Sequence, residues 1–245
     1  MGLVAGFIDS IAGGGGLITI PSILSVLGPG VTTIGTNKIP GTLAAGVALA
    51  IYAKHGHFRW QRALPPSLVV WAGSLSGTFF SPFIPTKAFP WLLLATCPVV
   101  LYLVWRRDLW VSRELSHSLK AHDWRNGLSV KSVLACFFAG FYDGAWGPGG
   151  GTFMFLALFF VGKLPLLEAV AGSKLMNTGS AFVSLMSYAS RGYVNVSVGS
   201  TVAIGIVVGA LVGASLAHKN TARLVRPVLA VVVLLLLFHL WQKSS

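Results

Sequence analysis

Apolar runs occupy approximately residues 3–27, 34–53, 63–84, 88–106, 129–161, 170–189, 196–217 and 223–241. Only short polar stretches separate most of them. Each run reaches the roughly 20 residues that a membrane-spanning helix needs, so the pattern predicts eight helical segments, four in each half. Two are interrupted. Gly13 to Gly16 divides the first run, and Gly144 to Gly151, with Pro148, divides the fifth. Each piece is about ten residues long, and ten helical residues cover only about half of the hydrocarbon core. The first and fifth segments are therefore expected to be broken spans or re-entrant hairpins. The long polar stretch at 106–128 reads as a linker on the membrane surface, between an N-terminal repeat (1–105) and a C-terminal repeat (129–245).

The two halves share more than a hydropathy profile. Gly6-Phe7-Ile8-Asp9, followed by Gly13, Gly15 and Gly16, recurs 134 residues later as Gly140-Phe141-Tyr142-Asp143, followed by Gly147, Gly149 and Gly150. At an offset of 136, Lys38 matches Lys174, Thr42 matches Thr178, Ala45 matches Ala181, Tyr52 matches Tyr188, and Gly73 and Gly77 match Gly209 and Gly213. Matched halves with a glycine-interrupted segment in the corresponding place point to a transporter whose site lies between the repeats. The spacings Gly73-Gly77 and Gly205-Gly209-Gly213 place small residues on one helical face, where packing explains them.

Composition agrees. The chain of 245 residues is 54% hydrophobic and 10% charged, where a soluble domain carries about 25% charged residues. An integral membrane protein is expected. The net charge of +12 would suggest nucleic acid in a soluble protein. Here the basic residues fall mostly in short loops, where they meet lipid headgroups and set orientation, so no nucleic-acid partner is expected. If all eight segments cross, one side holds 11 of the 18 basic residues; if segments one and five turn back, it holds 14. The second arrangement separates charge better and leaves an odd number of crossings per half, which makes the repeats inverted. Cys97 and Cys136 sit singly in apolar runs, and His55 and His57 share a basic loop without acidic neighbours. Neither arrangement points to a metal, and no cofactor is expected. The N-terminus lacks the basic stretch of a signal peptide, so 3–27 is read as part of the fold.

Two acidic residues lie within apolar runs, Asp9 and Asp143, each just before its glycine break. A carboxylate at membrane depth must be paired, solvated or protonated. Two roles are open: a proton or cation coupling site, or an acceptor that organises the free N–H groups of the break. Lys38 and Lys174 follow the polar runs Gly35-Thr36-Asn37 and Gly172-Ser173, with Thr42 and Thr178 one turn on. Lysine, hydroxyl and N–H groups at a helix start would make an anion site; snorkelling to the headgroups is the other reading. The glycines Gly14, Gly15, Gly16, Gly149, Gly150 and Gly151 let the backbone approach a ligand closely. Asn177, Ser180, Ser184 and Ser187 form a stripe that would either line a pathway or make interhelical hydrogen bonds.

These motifs resemble the sulfite exporter TauE/SafE family: the doubled Gly-x-x-Asp-x-x-x-Gly-x-Gly-Gly, Thr36-Asn37-Lys38, Ser173-Lys174 and the four-plus-four layout. The resemblance implies a multi-pass bacterial transporter of sulfite or small organosulfonate anions. The first half-helix is short for the family, and Pro148 and Gly151 make the second break unlike the first. The expectation is an all-α integral membrane protein of two inverted four-segment repeats, each opening with a broken or re-entrant helix. Lys38, Lys174, Asn37, Thr42, Ser173, Asn177 and Thr178, with the six glycines, would hold a small sulfur-containing anion. Asp9 and Asp143 would organise the breaks or couple transport to protons. The alternative is a carrier or channel for another ion, with Asp9 and Asp143 as cation ligands. A membrane-embedded enzyme is disfavoured because no nucleophile–base or metal cluster is present.

Overall fold

The computed structural model describes residues 1–56, 60–88 and 129–217. Apart from Ala88, the expected segments at 88–106 and 223–241 and the linker 106–128 lie outside the described residues. What is described is helical throughout. The helices are α1 (Gly2–Ala12), α2 (Gly16–Leu27), α3 (Val31–Lys54), α4 (Trp60–Phe80), α5 (Val130–Ala145), α6 (Gly150–Leu156), α7 (Leu166–Ala189) and α8 (Val196–Ala217). Two short 3-10 turns follow α4, and α6 runs on into a π turn, Ala157–Val161.

Both expected interruptions are real helix ends. α1 stops at Gly13, whose φ of 79° is left-handed and whose N–H donates to the Asp9 carbonyl at 2.8 Å. After α5 the chain passes Gly147 (φ 98°) and Gly149 (φ 74°) before α6 begins. A side chain at these positions would strain the backbone, and glycine avoids that cost.

α3 and α7 have 24 residues each and α4 has 21, about 36 Å and 32 Å of helix. α8 has 22 residues and a mean hydropathy of 2.1, which makes it long and apolar enough to cross a membrane. Large apolar side chains face outward from several helices: Phe79, Phe138 and Ile204 are 58%, 62% and 73% exposed. The polar and charged side chains Asp9, Asp143, Lys38 and Lys174 are buried instead. That inversion of the usual pattern suits an apolar surround.

Glycine decides how the helices meet. A Cβ on Gly6 would collide with the carbonyl oxygen of Ile206, and one on Gly209 with that of Leu3, so α1 and α8 touch backbone to backbone. Gly140 and Gly73 stand in the same relation to the carbonyls of Val70 and Phe137, joining α5 to α4. The two sets of contacts superpose under the sequence offsets. Gly6 and Ile206 become Gly140 and Val70, and Gly209 and Leu3 become Gly73 and Phe137. In each case a helix of one half packs on a helix of the other. Backbone contact this close is what small residues permit, and in lipid such van der Waals packing drives association.

Candidate functional site

Helix ends expose carbonyls that need donors, and at the two breaks a lysine from the opposite half and a tyrosine from the same half supply them. Lys38 Nζ, on α3, donates to the carbonyl oxygen of Asp143 at the end of α5. Lys174 Nζ, on α7, donates to the carbonyl oxygen of Asp9 in α1. Tyr188 Oη donates to the Gly144 carbonyl at 2.6 Å, and Tyr52 Oη to the Ser10 carbonyl at 3.4 Å. All four donor side chains are buried. A cation over the last turn also complements the negative end of the helix dipole.

The lysines reach the breaks from mid-helix. α3 begins at Val31 and α7 at Leu166, so Lys38 and Lys174 lie in the third turn. The sequence pattern placed them at a helix start, just behind short runs of polar residues, because the apolar runs begin only at 34 and 170. Those polar residues are buried helical positions: Thr36, Asn37 and Ser173 are at most 6% exposed. Thr42 and Thr178 donate back to the Lys38 and Lys174 carbonyls at 2.7 and 2.6 Å, an intrahelical use of the hydroxyl.

The two carboxylates differ. Asp143 Oδ2 pairs with Lys38 Nζ at 3.0 Å and accepts from Ser180 Oγ at 2.5 Å. Asp9 Oδ1 accepts from the Gly15 N–H at 3.0 Å. No ion pair within 4.0 Å joins its carboxylate to a described lysine. Its Oδ2 is buried with no hydrogen-bond partner among the described residues.

The breaks meet at the centre of the molecule. A Cβ on Gly13 would strike the Gly151 backbone. Beside this crossing lies a cavity of about 30 Å³, bordered by Asp9, Asn37, Lys38, Asp143, Gly151 and Asn177 among others. Gly16 also borders it. Asn37 Oδ1 accepts from Thr19 Oγ1 at 2.5 Å. The Nδ2 groups of Asn37 and Asn177 lie 3.6 and 3.0 Å from where a Cβ on Gly16 and on Gly151 would sit. The volume holds a water-sized group, so the centre is closed around the site. Of the other residues expected to bind, Lys174, Thr42, Ser173, Thr178, Gly14, Gly15, Gly149 and Gly150 do not border the cavity.

A polar seam extends from the site. With its proton donated to Asp143, Ser180 Oγ lies 2.8 Å from Ser74 Oγ as an acceptor, and the Ser74 and Ser184 hydroxyls lie 2.6 Å apart. Farther along, Thr78 and Ser187 hydroxyls lie 2.7 Å apart, and Arg191 reaches Ser187 Oγ at 2.9 Å and the Thr78 carbonyl at 3.0 Å. The stripe Ser180, Ser184 and Ser187 therefore makes interhelical hydrogen bonds. Its partners on α4, Ser74 and Thr78, went unnoticed in the sequence, although their spacing of four puts them on one helical face.

The profile described as "Sulfite exporter TauE/SafE" matches residues 1–240. The chain belongs to that family. Among its relatives, a probable membrane transporter protein of Sinorhizobium sp., ORF9, is 33% identical over 241 residues, covering 97% of this chain and 88% of the relative. A probable membrane transporter protein of Haemophilus influenzae is 32% identical, covering 94% and 88%. Escherichia coli YfcA, also a probable membrane transporter protein, is 28% identical, covering 94% and 83%. No solved structure matches. Membership in TauE/SafE makes this chain a membrane transporter.

Proposed function

We propose that this TauE/SafE protein is a multi-pass carrier of the bacterial plasma membrane that exports sulfite or small organosulfonate anions. The observation that carries the reading is the central cavity where both helix breaks meet. The amides of Asn37 and Asn177, the ammonium of Lys38 and the start of α2 give a small oxyanion donors and positive potential without a metal. Lys174 strengthens that potential while holding α1 in place, and Thr42, Ser173 and Thr178 shape the helices that carry the lysines. A cation carrier fits less well, since Asp143 already has Lys38 and Ser180 on its carboxylate.

Alternating access needs two units that can rock about the site, and inverted repeats supply them. Contact registers support this arrangement. Residues 2, 6 and 10 of α1 advance along α8 beside 205, 209 and 213, so those helices run in the same direction. α4 and α5 also run together, through Gly73 with Phe137 and Gly77 with Phe141. α3 and α7 run oppositely, since Gly35 lies at Tyr188 and Gly46 at Thr178. α2 folds back on α3, with Thr19 bonded to Asn37 and Leu24 packed on Ile34. In this reading α1–α2 and α5–α6 are re-entrant hairpins and the C-terminal repeat is the N-terminal one upside down.

The test is flux in proteoliposomes across a panel of sulfite, sulfoacetate, taurine, sulfate and chloride. Sulfite or sulfonate flux that falls at least tenfold in Asn37→Ala and Asn177→Ala supports the assignment. Folded protein that moves none of the sulfur anions sinks it.

A further inference from the structure

We infer that Asp9, and not Asp143, is the proton-carrying group of the central site, and that it takes up a proton when an anion binds. The inference rests on the anion-carrier reading and adds the coupling ion and its position.

The argument begins with matched positions that differ. Ser180 holds the Asp143 carboxylate, and the residue 136 positions earlier is Ala44. Ser74, Ser184 and Thr78 likewise correspond to Ala210, Ala48 and Ala214. The hydroxyl that serves Asp143 is thus replaced by a methyl group at the matched position of the half that carries Asp9. Lysine placement differs as well. Lys38 reaches both the carbonyl and the carboxylate of Asp143, whereas Lys174 reaches only the carbonyl of Asp9.

Asp9 is left with one oxygen satisfied by the Gly15 N–H and the other without a donor among the described residues, in a residue 5% exposed beside the cavity. An anionic oxygen buried without a donor is unfavourable, and a neutral carboxylic acid relieves it. Hydrogen-bond geometry fits the acid form: Oδ1 serves as the carbonyl that accepts from Gly15, and Oδ2 is the oxygen left to carry the proton. The charged and titratable groups around it are Lys174 on α7, Asp143 on α5, and Lys38 and Tyr52 on α3. A metal cation would find one free carboxylate oxygen and two lysines nearby, a poor ligand set.

The charge count then couples the two ligands. With both aspartates ionised, Lys38, Lys174, Asp9 and Asp143 sum to zero. Moving one proton from solution to Asp9 Oδ2 leaves a net charge of +1, which one monovalent anion complements. Proton and anion load together and leave together. An anion moving down its own gradient carries a proton with it.

Two measurements test this on the purified full chain. The first is infrared spectroscopy of protein labelled with carboxyl-13C aspartate, following the C=O stretch of a protonated carboxylic acid at membrane depth. In anion-free wild type the expected band is weak at alkaline pH, where Asp9 is ionised, and grows as the pH is lowered; it is absent at every pH in Asp9→Asn and kept in Asp143→Asn. In Ala44→Ser it weakens at least twofold, because the added hydroxyl supplies the missing donor to the ionised form. A wild type without the band from acidic to alkaline pH overturns the inference, as does a band lost in Asp143→Asn alone. This readout needs no anion, so it stands apart from the carrier reading. The second is proton uptake on adding methanesulfonate, whose charge does not titrate, in weakly buffered solution. About one proton per bound anion is expected; binding without uptake, or binding that requires sodium at fixed pH, overturns it. If methanesulfonate and sulfite both fail to bind, the carrier reading fails while the infrared result still decides whether Asp9 holds the proton.

Discussion

The seam between α4 and α7 and the seam between α8 and α3 occupy matched positions in the two halves, yet their chemistry differs. Ser74, Thr78, Ser180 and Ser184 fill the first with hydroxyls that bond across helices. Ala210, Ala214, Ala44 and Ala48 fill the second, all four fully buried. The glycine contacts that join α4 to α5 and α8 to α1 beside these seams correspond under the repeat, so backbone geometry is duplicated there while the side-chain chemistry of the seams is not. This separates scaffold from function. Whatever both halves share, including the glycine interlocks and the lysine and tyrosine donors on helix-end carbonyls, builds the crossing. Whatever only one half has, including Ser180 on Asp143 and Asn177 where the other half has Gly41, makes the surroundings of the two breaks chemically different.

The largest effect expected from breaking the comparison is at the lysines. Lys38→Ala removes the partner of a buried carboxylate and leaves that charge uncompensated, a loss of about 3–5 kcal/mol. Lys174→Ala removes a donor to a carbonyl but no ion pair, so about 1–3 kcal/mol is expected. Thermal unfolding of detergent-purified protein, followed by size exclusion, should rank Lys38→Ala well below Lys174→Ala. The double variant Lys38→Met with Asp143→Asn should recover part of the loss. Equal midpoints for the two single variants would show that the carboxylates are held alike.

Next in size are the interlocks. Gly73→Ala and Gly209→Ala each drive a methyl group into a facing carbonyl, and overpacking of this kind costs about 1–3 kcal/mol. Because the two contacts correspond, the two variants should lower the unfolding midpoint by similar amounts. A tolerated Gly209→Ala beside a disrupted Gly73→Ala would mean that α8 adjusts its distance from α1. Gly56→Ala serves as the control: its φ is 72° but nothing lies near its Cβ, so only backbone strain should register, about 1 kcal/mol.

Much of this was legible in the chain, for identifiable reasons. Hydropathy and the glycine runs marked the broken segments because a left-handed turn at Gly13 or Gly149 leaves a compositional trace. The repeated Asp, Lys and Tyr positions flagged the groups that meet at the breaks. What could not be read was which residue meets which. Lys38 and Asp143 are 105 residues apart and Lys174 and Asp9 are 165 apart, and the exchange of donors between halves has no local signature. The helix starts were misplaced for a related reason. The apolar runs begin only at 34 and 170, and polar residues such as Thr36, Asn37 and Ser173 near the start of a run look like a helix start when burial is unknown. Ser74 and Thr78 were overlooked because two hydroxyls in an apolar helix look ordinary until α7 is laid beside them.

The smallest effects come from exchanging the two seams. A hydrogen bond between membrane helices contributes on average about 0.6 kcal/mol, so Ser74→Ala, which removes bonds to Ser180 and Ser184, should shift stability by about 1 kcal/mol. In the other seam, Ala210→Ser with Ala48→Ser introduces a pair of hydroxyls where Ser74 and Ser184 sit in the first. The pair should be close to neutral, because each hydroxyl can bond to the other or back to its own helix. Anion flux separates the outcomes further. If the serines only join helices, Ser74→Ala should leave the ratio of sulfite to chloride transport unchanged. If they tune Asp143 through Ser180, selectivity should move even though stability scarcely does. A changed ratio with an unchanged unfolding midpoint would make the hydroxyl seam part of the site, and an unchanged ratio would confine it to the scaffold.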